Sequence, residues 1–160
     1  MGQSVPMHRL AFTSEHRIEA PPERVFAAMT SPDGFGNWMQ GFVRAERLTP
    51  GDFDVGTQFR ETRRMFGKEA TEHFEVTSFV PAKRLGLKVD GTKGTTGKGE
   101  YRFDYEFEPA GAGTLLRTHA AIDMPGGLFT KLIGKLMGGF FKKACDKDLL
   151  ALKAFVERGS

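Results

Sequence analysis

Apolar and polar residues alternate through the middle of the chain, and a helical period replaces that alternation near its end. The clearest strand is 100–108, where Tyr101, Phe103, Tyr105 and Phe107 interleave with Arg102, Asp104 and Glu106. A period of two puts the rings on one face and the charges on the other, so this strand is buried on one side and wet on the other. Further strands are predicted over 42–48, 56–65, 68–80, 84–89 and 114–122, with Leu85, Leu87 and Val89 in phase in one and Leu116, Thr118, Ala120 and Ile122 in another. Thr49-Pro50-Gly51-Asp52, Phe66-Gly67 and the run from Pro109 to Gly113 have the composition of turns between antiparallel neighbours. Segment 90–99, DGTKGTTGKG, is small, polar and glycine-rich. It predicts a flexible hairpin loop, and it lacks the GKS or GKT ending and the following helix of a phosphate-binding loop.

Ahead of these strands, residues 7–20 predict a first strand in which Phe12, Ser14, His16 and Ile18 share a face, with Leu10 out of phase. Pro21 and Pro22 suit the first turn of a short helix carrying Val25, Phe26 and Met29. Ser31-Pro32-Asp33-Gly34 ends it, and a second short helix or turn at 35–39 holds Trp38, expected to plug the junction between short helices and sheet.

Residues 126–158 predict the one long helix, and its apolar positions form two stripes. Leu132, Ile133, Leu136, Phe140 and Ala144 share one side, opposite Lys131, Lys135 and Lys142. After Gly138-Gly139 the set becomes Cys145, Leu149, Leu152 and Val156, rotated by roughly a third of a turn on the same wheel. Either the helix bends at the glycines, or the second stripe continues upstream through Phe141, Gly138 and Gly134, where small residues leave space between helix and sheet. The half from 128 to 141 is then the expected pocket mouth, its leftover apolar face covered by a loop, a second subunit or lipid.

One domain with a real core is expected of 160 residues. A single cysteine, Cys145, forms no internal disulfide and no cysteine-rich zinc site, and it suits a reducing cytoplasm. No apolar run approaches the ~20 residues of a membrane span, and the first residues lack the apolar core of a signal peptide. The net charge of +3 is spread among acidic residues, which disfavours nucleic acid as a partner. The cationic side of the last helix keeps a peripheral membrane contact open, and a homodimer also stays open.

Strands followed by a long covering helix make an α+β architecture. Within that order, IEAPPERVF at 18–26, SPDGFGNW at 31–38, VGTQF at 55–59, FEVTSFVPAKRL at 74–85, GTLL at 113–116 and LLALKAFVE at 149–157 resemble the SRPBCC superfamily of START-like, polyketide cyclase/dehydrase and lipid-transport proteins. The resemblance covers nearly the whole chain. It implies a helix-grip fold: a curved antiparallel sheet of about six to seven strands wrapped around the long C-terminal helix, with two short helices after the first strand. It also implies a cavity between sheet and helix for a small hydrophobic ligand such as a lipid, an isoprenoid or a polyketide-like aromatic. The sequence has no His/His/Asp arrangement of the kind that the superfamily's iron-dependent dioxygenase subunits need and no HExxH, so no metal or other cofactor is expected. Members include carriers and aromatase/cyclases, so the resemblance alone does not choose between carriage and catalysis.

Alternation supplies the candidate site. With Phe59 and Met65 inward, Thr57, Glu61 and Arg63 share their face; with Phe74 and Val76 inward, so does Glu72. Expected ligand contacts are Phe59, Phe74, Leu87, Tyr101, Phe103, Tyr105, Thr118, Gly134, Gly138 and Phe141. In a cyclase, Glu61 or Glu72 would be the general base, and Arg63 or Tyr101 would stabilise an enolate. The competing reading is that strand ends or a bulge leave these charges in water. His73 and His119 fall in phase with outward positions, and an inward His16 is more often a hydrogen-bonded core residue than a catalyst.

Overall fold

The computed structural model describes residues 7–126 and 128–159, without the side chains of 128–137. Its strands are β1 (Met7–Ile18), β2 (Phe42–Arg47), β3 (Gln58–Met65), β4 (Lys68–Val80), β5 (Arg84–Asp90), β6 (Glu100–Ala110) and β7 (Gly113–Pro125). They pair antiparallel in one seven-stranded sheet of order β1-β7-β6-β5-β4-β3-β2. Helix α1 (Pro22–Met29) and a 3-10 turn (Pro32–Asn37) lie between β1 and β2, and α2 (Leu128–Arg158) follows β7. This is the helix-grip arrangement, because side chains of β1 at one edge and of β3 near the other both reach α2.

The sheet needs its cover because each strand has one apolar face. Leu149, Leu152 and Val156 of α2 form a core with Ile18, Val25, Phe26, Phe35, Phe59, Leu85, Phe107 and Leu116. Leu152 is fully buried. Trp38 is the expected plug: it is buried against Phe35, and its Nε1 donates to the Ala28 carbonyl at 3.3 Å. Thr114 is buried without penalty because its hydroxyl donates to the Ala20 carbonyl at 2.7 Å.

Helix α2 runs unbroken through Gly138-Gly139, and the upstream continuation of the second stripe is the one that faces the sheet. Phe141 packs on β1 and β6, and Cys145 packs below it. Space at Gly138 is filled rather than left open, since a Cβ there would stand 2.9 Å from Leu10 Cδ1. Leu10 is therefore in phase with Phe12, contrary to the expectation. Gly134, Leu132, Ile133, Leu136, Lys131 and Lys135 lie outside the described side chains.

Two further expectations change. A bulge between Val76 and Ser78 shifts the phase of β4, so Phe79 turns inward onto Phe26 and Phe53. Gly86 sits opposite this bulge, where a Cβ would meet Thr77 Oγ1 at 2.7 Å. Segment 90–99 is tied to β4 rather than a free loop: Thr95 N donates to the Thr71 carbonyl, and Thr71 N donates to Thr95 Oγ1, both at 2.8 Å.

Candidate functional site

Alternation on β3 places Thr57, Phe59 and Glu61 in the interior and Arg63 half-buried on the same face. The register shifts lie on β2, between Phe42 and Arg44, and on β4, between Val76 and Ser78, and neither turns them outward. Met65 follows in phase but is exposed, because it reaches the hairpin tip. On β4, Phe74 stacks on Phe59 with ring centroids 5.0 Å apart. Leu87, Tyr101, Phe103, Tyr105 and Thr118 come from successive strands to the same concave surface. Phe141 closes it from α2, with ring centroids 6.0 Å from Phe12 and 5.8 Å from both Tyr101 and Phe103.

Polar groups cross this aromatic surface in three places. The first is a charge cluster: Arg63 Nε donates to Glu61 Oε1, Arg63 Nη1 donates to Asp148 Oδ2 of α2 at 2.5 Å, and Gln40 N donates to Asp148 Oδ1 at 3.2 Å. Burial raises the Glu61 carboxyl above the ordinary carboxylate range, and the Arg63 charge only partly offsets it. Burial also opposes the Arg63 cation, but Glu61 and Asp148 outweigh it and raise its pKa. Close by, burial and then Asp148 push the Cys145 thiol up to about 12. Burial and the same acidic surroundings raise the Tyr105 phenol. Both groups stay protonated at neutral pH.

The second place is Glu72, whose Oε1 accepts from Thr96 N at 3.2 Å and from the Thr96 hydroxyl. Tyr101 donates to Thr96 Oγ1 at 3.3 Å. Glu72 thus anchors the 91–99 segment and does not join the Glu61–Arg63 pair. The third lies toward β1. His16 Nε2 stands 3.7 Å from Asp146 Oδ1 of α2, and burial lowers the His16 pKa although Asp146 opposes it. Ser14 Oγ, Thr118 Oγ1, His16 Nδ1 and Glu72 Oε2 are buried without a hydrogen-bond partner among the described residues. Ser14 and Thr118 are register partners on β1 and β7, and Tyr105 is the next partner across on β6.

A groove of about 430 Å³ opens between α2 and the β3–β4 hairpin. Its lining includes Arg63 and Asp148 together with Met65, Phe66, Phe140 and Ala144. None of the ten expected ligand contacts lines it; they lie deeper or, for Gly134, outside the described side chains. On α2 the groove is lined by Phe140, Lys143, Ala144, Lys147 and Asp148, at and beyond the end of the stretch expected to form a pocket mouth. Phe66 of the hairpin turn touches Phe140 with centroids 5.8 Å apart, but both rings stay exposed.

Sequence reasoning missed Asp148 and Asp146, because a helical acid becomes a partner only once the helix is rotated onto its strands. The available signal was the sequence CDKD, in which two acids flank the buried face of a helix. His73 does fall on the outward face, and what the alternation did not reveal is that it is buried there and bonded to Gln58 Oε1 at 3.1 Å.

The fold has relatives. Residues 9–157 match the family described as polyketide cyclase/dehydrase and lipid transport. The chain belongs to that family, within the SRPBCC superfamily. Among solved structures, Ara h 8.0201 superposes with a TM-score of 0.76 at 16% identity, covering 94% of this chain and 99% of that one. TTHA0849 from Thermus thermophilus gives 0.75 at 20%, with the same coverages. An uncharacterized protein from Rhizobium leguminosarum gives 0.71 at 21%, covering 96% and 97%. Identities this low carry the fold alone. Compared with curated protein sequences, the chain has no significant match.

Proposed function

We propose that the protein binds and carries a small hydrophobic ligand, such as a lipid, an isoprenoid or a polyketide-like aromatic, between the concave sheet face and α2. One observation carries this reading. An aromatic surface formed by Phe12, Tyr101, Phe103, Tyr105 and Phe141 contains buried polar atoms of Ser14, Thr118 and Glu72 that have no partner among the described residues. Buried polar atoms ordinarily have partners, and a mostly apolar surface with a few convergent polar groups is the usual form of a ligand site. The ligand class that fits has an apolar body and a hydrogen-bonding end. The unpaired Cys145 fits a cytoplasmic setting, and a peripheral membrane contact at the α2 side belongs to the same reading.

Native mass spectrometry of freshly purified protein tests it, followed by titration with lipid and aromatic probes. The expected result is a saturable one-to-one adduct. Failure of every amphipathic probe to bind would overturn the carrier reading.

An enzyme of the cyclase/dehydrase type is the second reading, favoured by the buried Glu61 carboxyl with its raised pKa beside the groove. It ranks second because Arg63, the cation that would stabilise an enolate, is already held by Glu61 and Asp148. Glu72 is likewise engaged by Thr96. Turnover of a polyketide substrate that is abolished by Glu61→Gln with binding retained would reverse this order.

A further inference from the structure

The tip of the β3–β4 hairpin is not explained by a ligand site in the interior. Phe66 and Gly67 both have positive φ, +53° and +76°, the conformation of a two-residue hairpin turn that favours Asn-Gly. Phenylalanine fits the left-handed region poorly, and here its ring is 85% exposed. The strained position therefore gains almost no burial within the chain. Phe140 of α2 is 52% exposed beside it, and Met65 is 43% exposed at the same rim.

The charges around these rings are of one dominant sign. Arg63 is neutralised by Glu61 and Asp148, and Arg64 pairs with Glu69 at 3.3 Å. Lys143 and Lys147, exposed on the groove wall, and Lys68, next to the hairpin tip, have no ion-pair partner among the described residues. Exposed aromatics within a ring of lysines match the boundary layer of an anionic bilayer, where rings sit at the acyl boundary and ammonium groups meet phosphates. A second copy docking by the same face would set this cationic surface against itself, which opposes self-association.

We propose that Phe66, Phe140 and Met65, with Lys68, Lys143 and Lys147, form a docking surface for an anionic lipid bilayer. Docking there turns the groove mouth beside Arg63 toward the membrane, the orientation in which a hydrophobic ligand passes between bilayer and interior without crossing water. This extension rests on the carrier reading for its purpose, while the docking itself is measurable alone.

Co-sedimentation of the full chain with vesicles of phosphatidylcholine containing phosphatidylserine, and with phosphatidylcholine alone, tests it. Binding is expected only to the anionic vesicles and falls with added salt. Phe66→Gly lowers the partition coefficient by about tenfold, from the loss of one inserted aromatic side chain. Its thermal midpoint stays equal or rises, because glycine relieves the left-handed strain. Lys143→Gln and Lys147→Gln lower partitioning by about fivefold each.

No binding to anionic vesicles, or binding unchanged in both kinds of variant, overturns the proposal. A concentration-dependent dimer in light scattering that Phe66→Gly abolishes assigns the surface to a second copy and also overturns it. Native mass spectrometry of the parent protein separates the two readings. Ligand held without vesicle binding overturns the docking surface alone, and vesicle binding without ligand upholds the surface and overturns the carrier reading alone.

Discussion

The two ends of the described α2 interface are built on opposite principles. From Leu149 to Val156 the helix meets the sheet through aliphatic side chains that are fully or nearly fully buried, against Ile18, Leu85, Phe107 and Leu116. From Gly138 to Asp148, where Cys145 keeps its thiol protonated, it faces aromatic rings, an Arg held between two acids, and hydroxyls without partners among the described residues. The first kind of contact maximises apolar burial and leaves nothing for a ligand to satisfy. The second leaves polar atoms unsatisfied, a cost that a bound molecule can remove. On the carrier reading, stability and binding are separated along one helix, and the Arg63–Asp148 contact marks the border between them.

The largest expected effect tests that border. Arg63→Met leaves Glu61 and Asp148 facing each other without their cation, and breaking a buried pair from one side costs about 3–5 kcal/mol. Urea denaturation checks it, and a loss below about 1 kcal/mol would show that the cluster is solvated in solution. Leu152→Ala should cost about 2–5 kcal/mol through its cavity, with ligand affinity little changed. If that variant instead weakens ligand binding as much as stability, the two regions are not separate.

Glu61→Gln is expected to have a smaller effect whose sign depends on pH. Folding raises the Glu61 pKa, so the native state holds the proton more readily than the unfolded chain. That preference is fully present below the ordinary carboxylate pKa and is lost as pH rises through the raised folded value. The stability of the parent relative to Glu61→Gln should therefore fall as pH rises from about 4 toward neutrality. His16 changes the parent's own curve in the other direction, since its lowered pKa removes stability as pH falls below about 6.5. The parent-minus-variant difference is thus the diagnostic quantity, and a difference that grows with pH would contradict the assignment. The smallest effect is expected at Thr118→Val. Removing a buried hydroxyl that has no partner among the described residues should leave the apo protein unchanged or up to about 1 kcal/mol more stable, while weakening a ligand that bonds there.

Much of this arrangement was legible in the alternation of residues. Tyr101, Phe103, Tyr105 and Phe107 declared their face, and the phase of Phe59 carried Glu61 and Arg63 inward with it. Local periodicity could not reveal what the second element brings. The pairing of Arg63 with Asp148 depends on the rotation of a helix far along the chain, and the capture of Glu72 by Thr96 depends on a glycine-rich segment that folds back on β4. Phe79 was hidden for a different reason, because one bulge reverses the phase of every residue after it. At Gly138 the pattern suggested empty space, but Leu10, in phase after all, occupies it.

The most direct test of the separation is an amide NMR titration with a hydrophobic aromatic probe, an anilinonaphthalene sulfonate. The account predicts saturable one-to-one binding, with the largest shifts at Tyr101, Tyr105, Thr118, Phe141 and Cys145 and none at Leu152 or Val156. Shifts centred on Leu152 and Val156, or no saturable response at all, would contradict it.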